Sequence, residues 1–205
     1  MWGLLGPEMR QRLRRPNLTY RFYRVDTPYA AHLTIVSLEG EDRAGPCFSC
    51  GAACRSTRRR AWQKAALEAV QGRHFVRRLL REQPTVSTVP QDFEAHAMFY
   101  THHPDELQET VLTRLAPPRD AERLASTVDK LGELRERLGG DHPVWFRNGT
   151  PPWLAATEES WMVLKVLIPG LQPEHGNHYL PQLGGPLWAP RTWRDWQTML
   201  LHPFG

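Results

Sequence analysis

The chain reads as an α+β protein, a mixed β-sheet packed with several helices, and three observations predict this. Apolar residues at Ala61, Ala65, Leu67, Val70, Phe75, Val76 and Leu79 recur at three- and four-residue intervals, the period of an amphipathic helix. Two earlier runs, LTYRFYRV from Leu18 and AHLTIVSLE from Ala31, alternate bulky with polar residues or are rich in β-branched ones, as strands are. Beyond Pro143 the pattern changes to short β-forming runs, of which MVLKVLIP is the strongest.

Taken in order, Pro7 to Arg15 reads as a short amphipathic helix closed by Pro16. The strands from Leu18 and Ala31, joined by the turn formers Asp26, Thr27 and Pro28, are expected to pair and to pack under the long helix. EGEDRAGPCFSCGAAC is read as a turn-rich loop delivering the chain to that helix, and it holds all three cysteines, Cys47, Cys50 and Cys54. A Cys-x-x-Cys pair with a third cysteine could begin a zinc or iron–sulfur site, but no fourth ligand stands at a conventional spacing, and reduced thiols near a turn are the simpler reading.

The helix opens in CRSTRRRAWQKAALEAVQGR, Cys54 to Arg73, with Ser56 where an N-cap belongs, and frays near Gln83 and Pro84. TVSTVPQ is extended or loop. FEAHAMFYTHHPDELQETVLTRL predicts a short helix, a turn at His103 and Pro104, and a second helix with Leu107, Val111, Leu112 and Leu115 on one face. Pro117 and Pro118 start a longer packing helix from Arg119 to Leu138, ended by Gly139 and Gly140. PVWFRN and MVLKVLIP, separated by a break at Gly149 to Pro152, close the pattern as strands. Trp145, Trp153, Trp161, Trp188, Trp193 and Trp196 crowd this part, as suits a core or a binding groove.

A length of 205 residues with 40% hydrophobic residues and 18 prolines describes one loop-rich domain, residues 1–205, with a sizeable core. The longest apolar run, MVLKVLI, is broken by Lys165 and falls far short of the roughly 20 residues of a spanning helix, so no membrane role is expected. The N-terminus places its charges after a stub of apolar residues, the reverse of a signal peptide, and the expected location is cytoplasmic. A formal charge of +4 built on arginine favours anionic ligands, such as nucleotide phosphates or an acidic peptide, over nucleic acid. Arg58, Arg59 and Arg60 read either as a solvated basic face or as a contact for phosphate or a partner's acidic patch. His96, His102 and His103 have no helical i, i+3 or i, i+4 relation, which points to a surface or interface role, and prolines and Gly176 put His175 and His178 in a loop.

The chemistry centres on the long helix. Side chains three apart share a helix face, so Glu68 and Gln71 point the same way, and a carboxylate beside an amide oxygen offers two hard ligands suited to Mg2+. Arg73, further round, could meet a phosphate. An ordinary amphipathic helix could carry the same three polar residues.

These residues carry a family resemblance. GAACRSTRRRAWQKAALEAVQGR resembles the second nucleotide-binding motif of the YcaO family, ATP-dependent enzymes that activate peptide backbone amides: Ser56, Ala61, Ala66, Leu67, Glu68 and Gln71 match, and Arg73 fills the place of a trailing arginine. The likeness continues through FEAHAMFY, Pro104, MVLKVLIPGLQP and HGNHYLPQLGG, as in azoline-forming members. Three features depart from it. The family's upstream motif, Ser-x-x-x-Glu-x-x-Glu-Arg, does not occur; of the Pro-x-Pro-x-Pro tail thought to order the family's active site only Pro203 survives; and Arg60 stands where an acidic residue is common.

The resemblance implies the fold of the C-terminal half of a YcaO domain, with ATP and Mg2+ as cofactors, Glu68 and Gln71 on the metal, Arg73 on phosphate, and Ser56 at the nucleotide or merely capping. It implies a precursor peptide whose Cys, Ser or Thr is cyclised to thiazoline or oxazoline, or whose amide becomes a thioamide. It also implies a protein partner supplying the missing half of the domain or an E1-like peptide clamp; a homo-oligomer is left open. The alternatives are a fragment that no longer hydrolyses ATP and serves as a binding or scaffolding subunit, and an unrelated anion-binding module.

Overall fold

A computed structural model describes residues 5–25, 32–82, 85, 89–115, 143–157, 161–169, 171, 174–181 and 192–204. The elements run α1 (Pro7–Leu13), β1 (Leu18–Val25), β2 (His32–Asp42), β3 (Gly45–Arg55), α2 (Arg58–Glu82), α3 (Phe93–His102), α4 (Pro104–Leu107), α5 (Val111–Arg114), β4 (Trp145–Asn148), α6 (Pro152–Ala155), β5 (Leu164–Leu167) and α7 (Trp193–Gln197). The α+β class stands, with both described sheets antiparallel rather than mixed: β1-β2-β3 in that order, and the pair β4-β5.

The segment expected to be a loop is strand β3, paired with β2 from Asp42↔Gly45 to His32↔Arg55. It lacks β-branched residues, which hid it, and its small residues answer to the helix above it. A Cβ on Gly51 would lie 2.3 Å from the Ala65 carbonyl oxygen and 2.5 Å from the Ala69 nitrogen. Ser49 Oγ donates to the Ala69 carbonyl at 2.8 Å. Only a strand of glycine, serine, alanine and cysteine lets the backbone of α2 come this close, and Ala61, Ala65 and Ala69 make the matching concession on the helix.

The sheet is covered on both faces because its side chains alternate. Phe22, Val36, Leu38 and Ala53 pack with Trp62, Ala65, Ala66 and Ala69 of α2, while Ile35 and Phe48 turn to Phe99, Tyr100, Leu107 and Leu112 on the other side. Cys47 joins Val76, Leu79 and Met98 in a third buried group. Phe22 and Trp62 meet with ring centroids 5.5 Å apart, across the sheet–helix interface.

Several expectations shift in detail. The cap of α2 is Thr57, whose Oγ1 accepts from Arg60 N–H at 3.3 Å, and Ser56 sits one residue earlier. The helix expected over Leu107 to Leu115 is split into α4 and α5, because Thr110 turns its buried hydroxyl onto the Leu107 carbonyl at 2.7 Å; Leu107 and Leu112 are still buried, but Val111 is exposed. The three cysteines lie along β3 rather than in a loop, as free thiols. The turn at Asp26 to Pro28, the helix from Arg119 to Leu138 and Trp188 lie outside the described residues. β4 and β5 form as expected, with every residue of both exposed. No described helix is long and apolar enough to cross a membrane.

Candidate functional site

Helix geometry puts Lys64, Glu68, Gln71, Gly72 and Phe75 along one flank of α2, beside the outer edge of β3. There a cleft of about 620 Å3 opens, within the range of about 300–1,000 Å3 usual for small-molecule sites. Cys50, Gly51 and Ala52 form its floor, and Glu174 and Phe204 reach it from the C-terminal region. Glu68 and Gln71 therefore share a cavity, and Glu174 adds a second carboxylate that the spacing of the sequence could not place. Lys64 Nζ lies 2.8 Å from Glu68 Oε1, with both side chains partly exposed. Sitting four residues before Glu68, Lys64 could have been found from helix periodicity. Two other concavities, of about 460 and 370 Å3, lie along β1, β2 and α4 and contain neither Glu68 nor Gln71.

The edge of β3 contributes main-chain groups. Phe48 turns its N–H outward to Thr101 Oγ1 at 3.0 Å, and the two-residue period of a strand directs the amides of Cys50 and Ala52 to the same side, where both residues line the cleft. Burial pushes the Cys50 thiol well up from its ordinary range, so it stays protonated and non-nucleophilic at neutral pH.

Ser56 and Arg73 are not among the residues lining this cleft. Arg73 is two residues past Gln71, about 200° round the helix axis. Its buried guanidinium donates to the Cys47 carbonyl at 2.9 Å and meets Asp42 at 3.0 Å. Arg77 reaches the other oxygen of the same carboxylate at 3.0 Å, so the two arginines clamp the β2–β3 turn to α2. The Ala44 N–H and both arginines hold the Asp42 carboxyl below the usual aspartate range.

The structure also gathers imidazoles that the sequence kept apart. His96 of α3, expected at a surface or interface, is 1% exposed. Its ring stacks on His202 with centroids 4.2 Å apart, and His175 stands edge-on to both. The loop carrying His175 and His178 is drawn onto α3 by close packing, since a Cβ on Gly176 would sit 2.7 Å from the Phe93 ring. It is drawn onto α7 by the Trp196 indole N–H, which donates to the His178 carbonyl at 3.0 Å. Burial, with the neighbouring imidazoles adding to it, pushes His96 down to about 3 and His175 down to about 4, and burial also lowers His178. These rings are therefore neutral near pH 7. The tail beyond α7 is fixed beside the cleft, with the Tyr100 hydroxyl donating to the Leu201 carbonyl at 2.6 Å and Phe204 on the cleft wall.

Residues 6–172 match the model of the family described as YcaO cyclodehydratase, ATP- and Mg2+-binding. None of the curated proteins compared with the chain matches it. Among solved structures, a chain of the E. coli microcin synthetase McbBCD complex has the same fold, with a TM-score of 0.55 at 13% identity over 79% of this chain. The match spans 40% of that chain. With the family model covering most of its length, the protein belongs to the YcaO family, whose description names ATP and Mg2+ as what its members bind.

Proposed function

We propose that the chain supplies one wall of an ATP- and Mg2+-binding site used to activate peptide backbone amides, in the cyclodehydration of Cys, Ser or Thr to thiazoline or oxazoline. It acts as part of a split enzyme whose remaining carboxylates come from a partner chain. The observation that carries this reading is the convergence of Glu68 and Gln71 on a cleft floored by the outward amides of Cys50 and Ala52. Oxygen donors of this kind fit Mg2+, which keeps its other positions for water and phosphate. A bound ion would supply positive charge to offset that of the phosphate oxygens during phosphoryl transfer.

In this reading Glu68 and Gln71 hold the metal, with Glu174 facing them. Lys64 turns from Glu68 to a phosphate, and the edge amides of β3 donate hydrogen bonds to the phosphate oxygens. Ser56 stays at the helix start and Arg73 holds the β2–β3 turn in register under Glu68. The modified peptide's amide oxygen takes the γ-phosphoryl group after its neighbouring side chain has added to the carbonyl, and phosphate leaves as the ring forms. The eight exposed residues of β4 and β5, with Trp145, Phe146 and Leu167 each more than 60% exposed, support a partner on that side of the chain.

Isothermal titration of Mg·ATP into the chain tests this. Weak, millimolar binding that is lost in Glu68→Gln is expected, without phosphate release until a partner is added. Equal heats for the wild type and Glu68→Gln would reject the site. One observation favours a second reading: Arg73, the arginine that the resemblance places on phosphate, is committed to Asp42 and the Cys47 carbonyl, which suits a binding or scaffolding subunit better than an enzyme. ATP turnover by the isolated chain would exclude that alternative.

A further inference from the structure

Three imidazoles from distant parts of the chain meet at one point: His96 in the middle of α3, His175 in the loop before α7, and His202 in the tail beyond α7. One ring nitrogen of each lies within 4.8 Å of the other two. His96 is 1% exposed, and neither of its ring nitrogens makes a well-formed hydrogen bond with a described residue, the His202 main chain approaching it only loosely. A buried imidazole so poorly paired is uncommon, because buried polar groups are normally satisfied.

His202 fixes the direction of the cluster. Its Nε2 lies 2.7 Å from the His175 carbonyl oxygen, which can only accept, so Nε2 carries the proton. Nδ1 is then the ring nitrogen left to take a metal ion or a second proton. That atom faces Glu174 Oε1 at 3.4 Å without forming a hydrogen bond. A carboxylate oxygen turned toward an imidazole nitrogen is stabilised by a cation there, either a proton on Nδ1 or a metal ion. An imidazole that donates one N–H to a backbone carbonyl while offering its other nitrogen is also how metal-bound histidines are oriented.

We propose that His96, His175 and His202 bind a divalent transition-metal ion of the zinc class, with Glu174 or water in the fourth position, and that the ion pins the tail to α3 beside the cleft. Three nitrogen donors with a neighbouring carboxylate suit Zn2+, Co2+ or Ni2+ rather than Mg2+ or Ca2+. Tetrahedral bonds of about 2.0–2.1 Å place ligand nitrogens roughly 3.3 Å apart, so the three rings, which bring ring nitrogens within 4.8 Å of one another, have to draw together on the ion. His96 and His202 are within 5° of parallel, and with His202 held by the His175 carbonyl it is His96 that turns about its Cβ–Cγ bond, a soft torsion, to aim its lone pair at the ion. This site is separate from the Mg2+ ligands on α2 and does not depend on the nucleotide reading. It does share Glu174 with the cleft, so loading it would set that wall and Phe204 in place.

The test uses the full chain, stripped with chelator, reloaded with Zn2+ and dialysed, with metal measured by mass spectrometry and folding by circular dichroism. About one equivalent of Zn2+ is expected, together with a raised melting temperature. Co2+ in its place should give the intense visible bands of tetrahedral coordination. His202→Gln and His175→Gln should each weaken Zn2+ binding at least tenfold while remaining folded, and His102→Gln, outside the cluster, should bind as the wild type does. Substoichiometric Zn2+ in the wild type, or undiminished Zn2+ in folded His202→Gln, would overturn the site. Mg·ATP binding, read on Glu68→Gln, reports on the nucleotide cleft and leaves this outcome independent.

Discussion

The β1–β3 sheet and the β4–β5 pair are both antiparallel ladders, yet they are held in opposite ways. β3 is made of residues with weak strand preference and is buried under α2, whereas β4 and β5 are rich in strand formers and exposed throughout. Strand propensity therefore follows neither burial nor importance in this chain. The first ladder is fixed by the close approach of helix and strand backbones, which also puts Glu68 over Gly51 at the edge of the cleft. The second keeps its apolar side chains in solvent, where a partner could reach them.

Substitutions should sharpen this contrast. Phe99→Ala, beneath the sheet, should cost about 3–5 kcal/mol in urea unfolding, from lost burial and the cavity left behind. Gly51→Val should cost about 3 kcal/mol or more, because the new side chain meets main-chain atoms of Ala65 and Ala69 that cannot rotate away. By contrast, the double substitution Trp145→Ser, Phe146→Ser should change the stability of the isolated chain by less than about 0.5 kcal/mol while weakening association with a partner. A loss of 2 kcal/mol or more there would mean that the second ladder is part of the core.

A small, pH-dependent effect concerns the clamp at the β2–β3 turn. Because the Asp42 carboxyl is held below its ordinary value of about 3.9, its contribution is complete above that pH and is lost as pH falls through the lower native value. The side chain is 41% exposed, so solvent screening keeps the contribution below about 1 kcal/mol. Asp42→Asn should therefore flatten the acid limb of the stability curve and leave stability at pH 7 only slightly lower. An unchanged acid limb would show that Arg73 and Arg77 hold the turn without help from this charge.

Much of the first ladder and its helix was legible in the sequence, since alternation marks β1 and β2 and the three- and four-residue period marks α2. β3 was not, because Gly51, Ala52 and Ala53 signal a turn until a helix is known to lie against them. Within the site, the i, i+3 relation put Glu68 and Gln71 on one flank, and the same arithmetic already sets Arg73 on another. Glu174, Phe204 and the meeting of His96 with His175 and His202 arise from contacts between segments roughly 80 to 130 residues apart, which spacing rules for a single helix do not reach.

The central claim is that Glu68 and Gln71 face a metal–nucleotide site over the edge of β3. Titrating Mn·ATP into isotope-labelled chain and following amide NMR signals tests it most directly, because the paramagnetic ion broadens only its neighbours. The account predicts broadening centred on Gly51, Ala52, Glu68, Gln71 and Gly72, abolished by Glu68→Gln. No broadening at these residues, or the same broadening in Glu68→Gln, would contradict it.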